Sequence, residues 1–156
     1  MAMKTPSPME EQKKKQEELK KQQEEQKKKQ EVMKQKIKEL YNVFKDGYQS
    51  KNDSKVIGCL SSQWTGSDGA SISDVQKALR KTFNKFDQVQ FNISNLNITH
   101  QSGNDFKTSY NVSITGRIFS NNLKHEEKSS VNDIVTVDDK GVAKITKTLS
   151  GSMIKK

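Results

Sequence analysis

The stretch FKTSYNVSITGRI, residues 106–118, decides the fold. Phe106, Thr108, Tyr110, Val112, Ile114, Gly116 and Ile118 fall on one side of an extended chain. Lys107, Ser109, Asn111, Ser113, Thr115 and Arg117 fall on the other. Strict alternation over this length describes a strand with one buried face and one wet face, which is antiparallel behaviour. The same alternation extends both ways. Upstream, Val89, Phe91 and Ile93 alternate, and then Leu96 and Ile98 continue in the opposite phase. A one-residue phase change inside a strand marks a bulge, which bends it. Gly103–Asn104 and Asn121–Asn122 supply turns. A third strand over 123–137 aligns His125, Glu127, Ser129, Val131, Asp133, Val135 and Val137. After Asp139–Lys140–Gly141, a fourth aligns Ala143, Ile145, Leu149 and Met153.

Before these strands the periodicity is helical. From Glu10 a seven-residue repeat runs EEQKKKQ, EELKKQQ, EEQKKKQ, and it turns apolar at Met33, Ile37, Leu40 and Phe44. Glu precedes Lys by four residues at Glu10/Lys14, Glu11/Lys15, Glu17/Lys21, Glu24/Lys28 and Glu25/Lys29, the favourable orientation. The early seam is Gln12, Gln16, Gln23, Gln26 and Gln30 with Leu19 alone, too polar for a strong coiled coil. Residues 1–9 read as a disordered leader, 10–32 as a polar spacer helix and 33–156 as the folded domain. Asp46–Gly47 loosens the helix. A short helix over 54–60 follows, then a loop over 61–70 holding Trp64. A third helix starts at Ser73, capped with Gln76, and buries Val75, Leu79 and Phe83. The expected fold is α+β: a bent antiparallel four-stranded sheet, a cone or half-barrel, covered by three helices and preceded by a long polar helix.

The net charge of +9 comes almost wholly from lysine, with only Arg80 and Arg117 as arginines. Specific phosphate and base recognition favours the arginine fork, so nucleic acid is disfavoured as a partner. The single Cys59 and two distant histidines make no metal site. No glycine-rich phosphate loop and no nucleophile elbow occurs. No run is apolar for the eighteen or so residues that cross a bilayer. Met1 to Pro8 carries no signal core, so the chain reads as cytoplasmic, or as extracytoplasmic with its export segment removed.

The order of these elements resembles the nuclear-transport-factor-two-like (SnoaL-like) superfamily over about Met33 to Ile154. The likeness lies in the helix ending at Phe44–Lys45–Asp46–Gly47, the Trp64 and Ser67–Asp68–Gly69 segment, and the helix ending Thr82–Phe83–Asn84–Lys85–Phe86. It continues in the closing Val135–Thr136–Val137–Asp138–Asp139–Lys140–Gly141 hairpin. The resemblance implies a cone around an apolar pocket, used in isomerases, dehydratases and hydrolases and also in binding proteins without turnover. Fold alone does not choose among these. Trp64, Tyr110, Val112 and Asp133 are the expected pocket residues. Asp133 shares the phase of Val131 and Val135; an inward carboxyl there can serve as a base, and Tyr110 can polarise a carbonyl. The rival for the inward position is Ile134. His125 sits eight residues along the same strand, roughly 26 Å away, too far for a dyad. The leading reading is a non-enzymatic module, held on a helical spacer, that binds a small apolar ligand or a protein, with no cofactor; the glutamine seam is a solvated helix face or a weak homo-oligomer seam. The alternative is a small lyase or isomerase with Asp133 as its base.

Overall fold

A computed structural model describes residues 7–152. Helix α1 (Pro8–Gln49) is one continuous rod of 42 residues. Ser7 caps it by accepting the Glu10 N–H, and Pro8, with its φ preset, occupies the first turn. Of the leader assigned to 1–9, residues 1–6 lie outside the described residues; Pro8 and Met9 already belong to the helix. Every residue from Ser7 to Lys29 is exposed, whereas Ile37, Leu40, Tyr41, Phe44 and Tyr48 are buried. The glutamine seam thus projects, and the apolar seam docks. The ion pairs formed on α1, among the described residues, are Glu31–Lys34 and Lys36–Glu39, not the expected pairs four residues apart. On an exposed rod each such pair contributes only about 0.3–0.5 kcal/mol, too little to fix two long side chains.

Gly47 does not loosen α1. It lets the short helix α2 (Asp53–Ile57) pack against it, since a Cβ at Gly47 would stand 2.8 Å from Val56 Cγ2. Residues 60–65, expected in a helix end and loop, form strand β1 (Leu60–Thr65). Only Leu60 and Trp64 of this strand are buried, too few to show alternation in the sequence. Helix α3 (Ile72–Lys85) is capped by Ser71 with Asp74, two residues earlier than the expected Ser73 and Gln76.

The remaining strands are β2 (Gln88–Ser102), β3 (Asp105–Ile118), β4 (Leu123–Val137) and β5 (Ala143–Ser150). The sheet order is β1-β5-β4-β3-β2, so the sheet has five strands rather than four, with β1 parallel to β5 and the rest antiparallel. The β2 phase change is a bulge: the register slips between Ser94 and Asn97, with Asn95 at φ 56°. On β4, Asp133 points inward and is fully buried, and Ile134 is half-buried on the other face. β5 departs from expectation. Its register against β4 slips between the Val135–Ile145 and Ile134–Lys147 pairs. That slip turns Thr148 inward and leaves Leu149 exposed. Met153 lies outside the described residues.

The helices roof the curled sheet, and aromatic rings fill the space between. Tyr48 stacks on Phe91 with centroids 4.7 Å apart; Phe44 lies 5.3 Å from Phe91 and Phe83 lies 5.7 Å from Tyr48. Phe86, at the end of α3, packs where Gly116 has no side chain; a Cβ there would meet the ring at 2.5 Å.

Candidate functional site

Two features at one end of the cone make the candidate site: a buried acid and an apolar cavity in front of it. Asp133 is held on β4 between two neighbours that also face inward, Thr108 on β3 and Thr148 on β5. Its Oδ2 accepts from Tyr110 Oη at 2.6 Å and from Tyr41 Oη at 2.8 Å. Its Oδ1 accepts from Thr148 Oγ1 at 2.8 Å. Two further groups feed these donors. Thr108 Oγ1 lies 2.6 Å from Tyr41 Oη, and Trp64 Nε1 donates to Thr148 Oγ1 at 3.2 Å. With Tyr41 committed to the carboxylate, Thr108 is the donor of its pair. Two short chains, Thr108 through Tyr41 and Trp64 through Thr148, then end on one carboxylate, which Tyr110 reaches directly.

Burial raises the Asp133 carboxyl above the ordinary range, because a carboxylate loses hydration there; the hydroxyls of Tyr110, Thr148 and Tyr41 pull the other way and do not outweigh it. The same burial, with the nearby Asp133 charge, pushes Tyr41 and Tyr110 well above the usual phenol value. Both phenols therefore stay protonated and act as donors. Tyr41 and Tyr110 also meet edge to face, centroids 4.9 Å apart, which fixes both hydroxyls.

The cavity opens beside this network. It has a volume of about 420 Å³ and lies between the β1–α3 loop, the first turns of α3 and the end of β5. Trp64, Ala70, Val75 and Ala78 give it apolar walls; Thr148 forms its polar rear; Asp68 and Asp74 stand among its lining residues. The loop is pinned across the mouth by Ser67 Oγ, which donates to Gly151 O at 2.9 Å, and closed on itself by Gly66 N–H to Ala70 O at 2.9 Å.

Of the four residues expected to line a pocket, the structure joins three. Trp64 lines the cavity, and Tyr110 and Asp133 sit behind it through Thr148. Val112 is buried farther along β3, paired with Ile93 and Ser129, and borders a separate shallow polar depression with Asn92 and Ser130. Sequence reasoning missed Tyr41, Thr108 and Thr148. Lys147 was the available signal for Thr148: between Ile145 and Leu149 it falls on the nominal inward face, which a lysine does not take. Tyr41 left no such mark, being one more apolar residue on the docking side of α1.

Among the described residues no group of His, Cys, Asp and Glu is placed to hold a metal ion, and no helix is long and apolar enough to cross a membrane. His125 is exposed and pairs with Glu127. The buried Cys59 thiol is pushed up to about 11 by desolvation, so it stays protonated at neutral pH.

The sequence matches no family model and no curated protein. Solved structures do match. A nuclear transport factor 2 (NTF2-like) superfamily protein from Salmonella enterica serovar Typhimurium superposes with a TM-score of 0.65 at 14% identity, over 81% of this chain and 94% of that one. Aln2 from a Streptomyces species gives 0.62 at 12% identity, over 73% and 85%. A hexachlorocyclohexane dehydrochlorinase (LinA) gives 0.58 at 14%, over 76% and 83%. Identities this low carry the fold and nothing finer. The curled, unclosed sheet roofed by helices, together with these likenesses, gives the chain the nuclear-transport-factor-two-like (SnoaL-like) cone fold.

Proposed function

We propose that the chain is a non-enzymatic binding module: the cavity at the cone mouth takes a small ligand with an apolar body, and residues 10–32 hold the domain of residues 33–156 off a partner. One observation carries this reading. The acid that could act as a base has both oxygens occupied by this chain's own hydroxyls, while the space in front of it is walled by Trp64, Ala70, Val75 and Ala78. A site of about 420 Å³ is ample for a small ligand. Trp64 is the contact wall, and Tyr110 and Asp133 hold its rear through Thr148. The spacer spans roughly 35 Å at about 1.5 Å per residue.

Trp64 is the sole tryptophan, so its emission reports the cavity directly. Ligands from a panel of small aromatic and aliphatic compounds should shift that emission and raise the thermal midpoint. A panel that moves neither removes the small-ligand reading. Self-association that disappears on deleting residues 1–30 would place the interaction on the helix instead.

One observation favours a second reading, a lyase or isomerase with Asp133 as base and Tyr110 as the group polarising a carbonyl: burial keeps the Asp133 carboxyl basic. A dehydrochlorinase shares the fold. Turnover of an activated carbonyl or halide substrate that Asp133→Asn abolishes would establish it. That chemistry requires Tyr110 or Tyr41 to leave Asp133 first.

A further inference from the structure

The long edge of the sheet lies open. β2 ends the order β1-β5-β4-β3-β2, and among the described residues no strand pairs with its outer side. The strand is 15 residues long, QVQFNISNLNITHQS. It carries no Lys, Arg, Asp, Glu or Pro, in a chain that is 30% charged. Charges and prolines are among the devices that keep an exposed edge from taking up another strand. The bulge at Asn95 divides this edge into two runs, and the second is residues 96–101.

Apolar cover is thinnest along that second run. Val89 and Phe91 before the bulge are buried, whereas Leu96 and Ile98 after it pack on the core but stay half-buried. Helix α1 passes over this run: Thr108, paired with Ile98, meets the Tyr41 hydroxyl. One flank of α1 faces away from β2, with Leu40 O taking the Cys59 thiol and Gly47 against Val56. The opposite flank, at helical spacing from Tyr41, carries Lys34 and Lys38, about 6 Å apart along the axis. Lys34 is half-buried and reaches Glu31 at 3.9 Å. Lys107, opposite Thr99 on β3, adds a cation on the outer face of the sheet. Asp105, opposite Ser102, is turned to β4, where it accepts from Thr136 Oγ1 at 2.6 Å.

These cations decide the occupant. A second copy would bring the same lysines and its own net charge of +9 to the shared edge, and like charges set opposite each other are destabilising. A strand of the other sign meets no such cost. We propose that residues 96–101 of β2 take an extended acidic segment of another protein as an added strand. The free backbone N–H and C=O groups of the edge hold its main chain. Its inward apolar side chains cover Leu96 and Ile98, and its carboxylates meet Lys34, Lys38 and Lys107. This edge is the opposite side of the sheet from β1 and Trp64, so the proposal does not depend on the cavity holding a ligand.

The test uses the full chain and three peptides of about eight residues, a strand's length. One alternates valine with glutamate, one alternates valine with lysine, and the third is the acidic peptide with proline in place of two valines. Calorimetry reads binding, and hydrogen exchange reads its place. The acidic peptide should bind and slow exchange of amides within residues 96–101. Lys34→Gln together with Lys38→Gln should weaken it about two- to thirtyfold, the range for two exposed charge pairs, and added salt should weaken it too. The lysine peptide and the proline peptide should both bind more weakly than the acidic one. Equal binding of the proline peptide would show attraction by charge without strand addition and overturn the proposal. Slowed exchange confined to residues 8–30 would place the peptide on the rod and overturn it as well. Slowed exchange at 96–101 that grows with protein concentration alone would give the edge to a second copy, and no binding of the acidic peptide would leave the edge without this partner; each refutes the assignment.

Discussion

Replacing Thr148 with valine cuts the line from Trp64 to Asp133 without changing the shape of the side chain. Two hydrogen bonds go at once: the indole N–H loses its acceptor at 3.2 Å, and Asp133 Oδ1 loses its donor at 2.8 Å. Thr148 is 2% exposed and Trp64 5%, so water replaces neither bond without opening the packing. An orphaned buried donor costs about 1–3 kcal/mol, and a bond to an ionised acceptor contributes about 1.5–3. The added methyl group returns about 0.8 kcal/mol through burial. The net loss is about 3 kcal/mol, or about 6–12 °C in midpoint for a chain of this size. Urea unfolding followed by Trp64 emission measures it. Thr146→Val is the control, since Thr146 is half-buried and makes one neutral bond to Ile134 O at 3.1 Å. The pH dependence adds a second signature. An acid whose folded value is raised contributes stability that is present below its unfolded value of about 3.9 and lost as pH rises through the folded value. Thr148 is one of the donors that hold Asp133 down, so Thr148→Val raises the folded value further and extends that loss to higher pH. The deficit against wild type should be smallest below about pH 3.9 and grow toward neutrality. A loss no larger than that of Thr146→Val, or a deficit independent of pH, would refute the claim that Thr148 joins cavity and acid.

Asp133→Asn removes the group with the raised carboxyl, so its stability relative to wild type should improve as pH climbs above about 3.9, read from paired urea curves. Gly116→Ala forces a methyl group into the Phe86 ring, 2.5 Å from Cγ, and should cost about 1–3 kcal/mol by thermal melt. Ser71→Ala removes the α3 cap at the cavity mouth and should cost about 1 kcal/mol, measured by the same melt. Deleting residues 1–29 removes only exposed positions among those described and should leave the unfolding free energy within about 0.5 kcal/mol of the full chain.

How much of this could be read from residues alone follows from periodicity. β3 was legible because five buried positions alternate from Phe106 to Ile114, although Thr115, on the nominal wet face, is buried too; the β2 bulge was legible because Ile93 and Leu96 break phase. The turn of Asp133 inward was legible from Val131 and Val135. β1 was not, since parallel pairing with β5 is a long-range fact and a six-residue edge strand has too few buried positions to alternate. The site was half legible. Its members come from α1, β1, β3, β4 and β5, and what joins them is hydrogen bonding across the core. Tyr41 and Tyr110 are 69 residues apart, and nothing in either local pattern says that their hydroxyls converge on one oxygen. Tyrosine counts as apolar in a periodicity reading, which hides the end of the side chain that matters here.

The position of Asp133 also bears on why the chain keeps a carboxyl in a core that aromatic rings otherwise fill. Hydrophobic replacement of a buried charged cluster is often neutral or stabilising, so stability alone is a weak reason for it. Geometry supplies a stronger one. Each of Tyr41, Tyr110 and Thr148 has a single hydroxyl hydrogen, and all three spend it on the same carboxylate. That fixes the rotation of α1 against the sheet through Tyr41, the register of β5 against β4 through Thr148, and the indole of Trp64 one step farther out. A neutral amide in place of Asp133 cannot accept from both ends, so one of the chains must reverse or break. The cavity wall is therefore set by a core polar group that no ligand needs to touch. A ligand that tilts Trp64 must lengthen the Trp64–Thr148 bond, and Thr148→Val should uncouple the emission change on binding from any change in the acid's titration.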